Sequence, residues 1–159
     1  YQTDKVLLGA EILMAKPGAV IDELPARNQD GLGKYMPFNI PLIALHEFVH
    51  VQQQVGWEQY SVMHRCVAEG VAEFVSTQLA ATPLSPPVAF GKANAAEVLK
   101  VFMEEVVRDD ATGNWLSGQN RNRLAQNDLG YYIGYAICER FYEAATDKGL
   151  ALRQLIDLN

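Results

Sequence analysis

The run His46-Glu47-Phe48-Val49-His50 sets two imidazoles and a carboxylate within little more than one helical turn. On a helix, residues four apart share a face, so His46 and His50 can direct both rings at one point. Imidazole nitrogen is a good ligand for a divalent ion such as zinc, and a tetrahedral site needs more than two such ligands. Glu47 follows the first histidine and lies where it can take a proton from a water held beside them. The chain has three histidines in all, and this motif uses two of them.

A motif this short also arises by accident as a polar stripe on a surface helix. The flanks argue against that reading. Ile40, Leu42, Ile43, Leu45, Phe48, Val49 and Val51 surround the motif, and they predict a mostly buried helix. Polar groups in such a helix need partners, because an unsatisfied buried one is costly. A metal ion would satisfy the histidines.

Three residues downstream are candidates for the third ligand: His64, Glu69 and Glu73. A close third histidine in the pattern HExxHxxGxxH is excluded on spacing, since Gln53 stands at the glycine position and Gly56 at the last histidine. Glu69 and Glu73 lie one turn apart on a second helical stretch, Ser61 to Leu79. Eighteen residues separate His50 from Glu69, enough for the first helix to end near Gly56, turn, and return antiparallel. Two histidines and a glutamate form one of the known catalytic zinc sets. The alternative for both acids is a solvated helix face. His64 lies more than a turn from Glu69 and reads better as a cleft residue or an ordinary hydrogen-bonded histidine.

HExxH, eighteen residues, then Glu resembles the gluzincin peptidases, which pair the two histidines with a glutamate from the next helix. That resemblance implies that Glu69 is the ligand and that Glu73 supports a liganding histidine through its ring N–H. A carboxylate there fixes tautomer and orientation. Gly70 and Ala72 are small, and are expected to let the two helices approach closely.

The elements that must position these residues form one domain over residues 1–159, long enough to bury a core. Hydrophobic residues make up 49% and charged residues 20%, ordinary for a globular chain. No run is long and apolar enough for a membrane span. A net charge of −6 without any basic cluster speaks against a nucleic-acid partner. Cys66 and Cys138 sit among apolar neighbours and read as buried free thiols. No signal peptide is visible at Tyr1.

Lys5 to Ala15 is an apolar run that reads as a strand or a short buried helix, Pro17-Gly18 as a turn, and Ala19 to Leu24 as a second short extended piece. Ala26 to Pro37 reads as a loop. Asn39 caps a helix from Ile40 to about Gln54. Prolines at 83, 86 and 87 break the chain. Asn94 with Glu97 looks like a capping box for a helix from Ala95 to about Arg108, with Val98, Leu99, Val101, Phe102, Val106 and Val107 on its buried side. Asp109 to Asn127 is a long polar stretch, helical in part over Ser117 to Gln126. Helices over Leu129 to Thr146 and Leu150 to Leu158 follow, with Gly149 as the stop between them. Tyr131 and Tyr135, one turn apart, are candidates to stabilise an oxyanion; the alternative is that they pack with polar tips at a surface.

The strings LLGAEILMAKPG, NIPLIALHEFVHVQQ, RCVAEGVAEFV and DLGYYIGYAICERFYEAATDKGLALRQLI resemble a family of zinc-dependent proteases related to the gliding-motility lipoprotein GldB. Its members are mainly bacterial, and some are exported or lipid-anchored. The resemblance covers most of the chain. It implies a mainly α, gluzincin-like domain, with a small β element upstream of the motif helix, that holds one Zn2+ ion at His46, His50 and Glu69. It implies Glu47 as base, a peptide or protein as substrate, and a periplasmic or envelope location. The alternative is a non-catalytic zinc-binding interaction domain, which has no use for a base at Glu47.

Overall fold

The computed structural model describes residues 5, 6, 8, 9, 20, 22–24, 29, 39–53, 61–107, 114–116 and 122–157. Among them six α-helices follow in order: α1 (Ile40–Gln53), α2 (Val62–Ala80), α3 (Pro86–Ala93), α4 (Ala95–Glu105), α5 (Leu129–Ala144) and α6 (Lys148–Ile156). The chain is mainly helical, and no strand occurs among the described residues. Most of the expected small β element, and of the expected loop after it, lies outside the described residues.

The helix starts follow from short polar side chains that accept orphan backbone N–H groups. Asn39 Oδ1 accepts from Leu42 N at 3.2 Å to begin α1. Ser61 Oγ accepts from His64 N at 3.4 Å to begin α2. Asp147 Oδ1 accepts from Leu150 N at 2.9 Å to begin α6. That last cap moves the start of α6 ahead of Gly149, which lies inside the helix and not between two. Pro86 and Pro87 open α3 where the sequence predicts only a break; proline suits a first turn, whose N–H has no helical partner anyway. The capping box at Asn94 does not form. Its side chain turns back and donates to Phe90 O at 2.9 Å, tying α4 to the end of α3.

Helices α2 and α5 form the central pair, with α1 on α2, α3 on α5, and α6 against both members of the pair. Every residue of α2 from Gly70 to Thr77 is buried, as expected of a helix covered on several sides. The two backbones meet at Gly70 and Gly134: a Cβ on Gly70 would lie 2.1 Å from Gly134 C, and one on Gly134 would lie 1.8 Å from Cys66 O. The close approach expected between the two site helices is therefore made by Gly70 with α5. Gly91 likewise gives its missing side chain to the Tyr132 ring, which seats α3 on α5.

Helix α1 is less buried than its sequence predicts. Only Val49 and Gln53 are fully covered, the others are half-buried or exposed, and Phe48 is 54% exposed. On α4, Val98, Val101 and Phe102 face inward as expected, while Leu99 and, just beyond its end, Val107 are exposed. Phe102 meets Trp115 edge-on at 4.9 Å, so the polar stretch before α5 contributes a fully buried tryptophan to the core. Buried Glu105 accepts from Trp115 Nε1 and Arg123 Nε, each at 3.2 Å, which satisfies its charge. Asn122 to Gln126 form a turn; the rest of the expected helix there lies outside the described residues. Cys66 and Cys138 are buried free thiols, and burial pushes each up to about 12.

Candidate metal centre

His46 and His50, one turn apart on α1, direct Nε2 atoms at each other at 3.1 Å, with rings at 82°. Glu69 comes from the adjoining face of α2, and its Oε2 lies 3.2 Å from His46 Nε2 and 3.3 Å from His50 Nε2. The three atoms make a nearly equilateral triangle. Tetrahedral zinc with bonds of about 2.0–2.1 Å sets neighbouring donors roughly 3.3 Å apart, so the spacing fits such an ion. Among the described residues these three form the one group of metal-capable side chains brought together.

The outer nitrogens explain why all three donors face inward. His50 Nδ1 donates to Gln53 Oε1 at 2.8 Å, and His46 Nδ1 lies 3.5 Å from Glu73 Oε2. Hydrogen on each Nδ1 leaves the Nε2 lone pairs pointing at the Glu69 oxygen. Three lone pairs within 3.3 Å of one another repel unless a positive charge joins them. The donor set thus calls for a cation or, without one, a proton.

The electrostatics of the metal-free cluster agree. Burial alone would pull His46 down, but hydrogen bonds and charge from Glu69 and Glu73 outweigh it and raise His46 to about 9. Burial alone would raise Glu69, but hydrogen bonds and charge from both histidines hold it at about 2. The sign of each effect follows by linkage. The raised His46 stabilises the metal-free fold fully below its ordinary value of 6.5, and that contribution is lost as pH rises through about 9. The depressed Glu69 stabilises above its ordinary 4.5, and that contribution is lost as pH falls through about 2. A metal must displace the His46 proton, so its binding strengthens over the range in which that proton leaves. We expect the thermal midpoint of chelator-treated protein to fall as pH rises through about 9, while the increment produced by added zinc grows over the same interval. Melting curves with and without zinc across that range check it; a zinc increment that does not change with pH would contradict it.

The other sequence candidates divide. Glu73 stands behind His46, with one carboxylate oxygen buried and unpartnered. Glu47 is half-buried on α1. The Tyr131 ring stacks on His46 at 5.8 Å; burial, then the Glu69 charge, holds its hydroxyl well above its ordinary range and so protonated. Tyr135 points elsewhere. Its ring packs edge-on against Phe74 at 5.3 Å with Lys92 Nζ 5.5 Å from its centre, and burial followed by the Glu139 charge pushes it up to about 12. His64 is exposed at the start of α2, its Nδ1 2.8 Å from Ser61 Oγ, outside the cluster. Gln53 is the residue that motif reasoning passes over. It is nearly fully buried, bonds His50, and donates through Nε2 to Ala68 O at 2.9 Å. Its position three residues after His50, the same helix face one turn on, is the signal that finds it.

No curated protein and no solved structure matches the chain. A family model described as "Predicted Zn-dependent protease (DUF2268)" matches residues 15–155. With nearly its whole length so matched, the chain that brings His46, His50 and Glu69 to one point belongs to that family of predicted Zn-dependent proteases.

Proposed function

We propose that the chain is a gluzincin-type peptide-bond hydrolase in which His46, His50 and Glu69 hold one zinc ion. The observation that carries this reading is the convergence of those three donors from α1 and α2 at zinc-like spacing. Bound there, zinc supplies Lewis acidity, polarising a carbonyl and acidifying water. The remaining steps belong to side chains. Glu47 takes the proton of the attacking water and passes it to the leaving amine. Glu73 holds His46 through Nδ1. Tyr131, already protonated beside Glu69, donates its hydroxyl hydrogen bond to the oxyanion that develops on the substrate. Tyr135, held against Phe74 and Lys92, is assigned to packing.

The substrate on this reading is a peptide or protein. Among the described residues no helix is long and apolar enough to cross a membrane. An envelope location and a relationship to GldB rest on the sequence resemblance. Protein purified without chelator is expected to carry one zinc per chain and to cleave members of a broad peptide library, with cleavage lost to chelator and restored by zinc. Zinc without cleavage of any peptide would remove the hydrolase and leave the zinc-binding interaction domain. Absence of metal affinity would remove both.

A further inference from the structure

We infer that Gln53 is a positioning residue that selects the His50 tautomer and sets that imidazole against the helix carrying Glu69. The inference deepens the proposed metal site and rests on it for its effect on affinity.

The argument starts from the amide itself. A glutamine side chain has one oxygen that accepts and one nitrogen that donates. Gln53 Nε2 lies 2.9 Å from Ala68 O, a backbone carbonyl that only accepts. The nitrogen is therefore the end facing α2, and the oxygen is the end facing His50, 2.8 Å from Nδ1. An accepting oxygen requires hydrogen on Nδ1, which leaves Nε2 as the lone-pair atom. That atom is the one 3.3 Å from Glu69 Oε2 and 3.1 Å from His46 Nε2.

The second bond makes the arrangement more than a local contact. Ala68 is the residue immediately before Glu69. One amide therefore touches the imidazole on α1 and the backbone beside the carboxylate on α2. It fixes the ring's rotation and the height of α1 along α2 together. Gln53 is 3% exposed, and Val49 is the other fully covered residue of α1. Competition from water for either bond is therefore slight, and an amide in such a place keeps both partners. Where His46 has a carboxylate behind it, His50 has a neutral amide. The two ligands are thus oriented by groups of different charge.

Two variants separate the imidazole contact from the inter-helix tie. Gln53→Met keeps the volume and removes both bonds. Gln53→Glu keeps an oxygen for Nδ1–H but loses the donor to Ala68 O. Zinc affinity is read by competition with a chromophoric chelator, and folding by circular dichroism. We expect Gln53→Met to weaken zinc binding by about 10- to 100-fold, and Gln53→Glu to recover most of the loss. Equal loss in both variants, or affinity unchanged in Gln53→Met, would overturn the assignment. A variant that fails to fold leaves a direct readout on the wild-type chain: the 15N spectrum of its imidazoles at mildly alkaline pH. Hydrogen on His50 Nδ1 is expected, both with zinc and in metal-free protein; hydrogen on Nε2 in the metal-free protein would overturn the inference. Because the metal-free spectrum is read without zinc, a chain that binds no metal defeats the proposed function without deciding this point.

Discussion

Glu47→Gln is expected to lower the proposed peptide-bond hydrolysis by about 10²- to 10⁴-fold while zinc stays in place, the range lost with a general base. That corresponds to roughly 3–5 kcal/mol of transition-state free energy. Gln matches Glu in size and helix propensity, so α1 and its two imidazoles are undisturbed. It cannot accept a proton, so the water is no longer activated. Glu47 is not among the three converging donors, and its loss should not release the ion. Measuring kcat/KM on the best library peptide, together with metal content, checks both halves. Retained turnover would remove Glu47 as the base. Loss of zinc along with turnover would show that Glu47 helps to hold it.

Gly134→Ala is expected to destabilise the fold by on the order of 3 kcal/mol, at the upper end of the common range for overpacking. The added Cβ would stand 1.8 Å from Cys66 O and 2.8 Å from Gly70 Cα. Both are backbone atoms, so no rotamer change relieves the contact and α2 and α5 must separate. Alanine's better helix propensity returns only about 1 kcal/mol. For a chain of this size the thermal midpoint should drop by roughly 10 °C. Glu69 directly precedes Gly70, so zinc affinity should weaken as well. Gly149→Ala is the control: its Cβ meets only Asp147 Oδ1 at 3.4 Å, inside a helix, and the midpoint should hold or rise. An unchanged midpoint in Gly134→Ala would show that the two backbones have room to move apart at little cost.

The residues that announced themselves in the sequence are those whose role is local. Asn39 caps the helix it precedes. The spacing of His46 and His50 needs only one turn of helix to bring their nitrogens together. The reach from His50 to Glu69 was legible because α1 and α2 lie next to each other in chain and in space. Other features depended on partners far along the chain. Gly70 reads as small, but nothing in its neighbourhood says that the backbone it meets is at Gly134. The turn spacing of Tyr131 and Tyr135 does not separate them, and only the placement of Phe74 and Lys92 draws Tyr135 away from His46. Pro86 and Asn94 are ambiguous in the sequence for another reason: each has two common uses, and the tertiary setting chooses between them. Proline both breaks and begins helices, and asparagine both caps and bonds back to a preceding carbonyl.

The pairing of His46 with Glu69 and Glu73 has a consequence for how the centre is filled. Without metal, the proton on His46 acts as a placeholder, supplying the positive charge that keeps a carboxylate and two imidazoles facing one another. An arriving cation replaces a charge already provided for and releases that proton, and the donors need not be gathered from scattered positions. On the proposed reading the three donors are thus kept facing one another by their own chemistry before a metal binds, and acid would compete with loading by strengthening the placeholder.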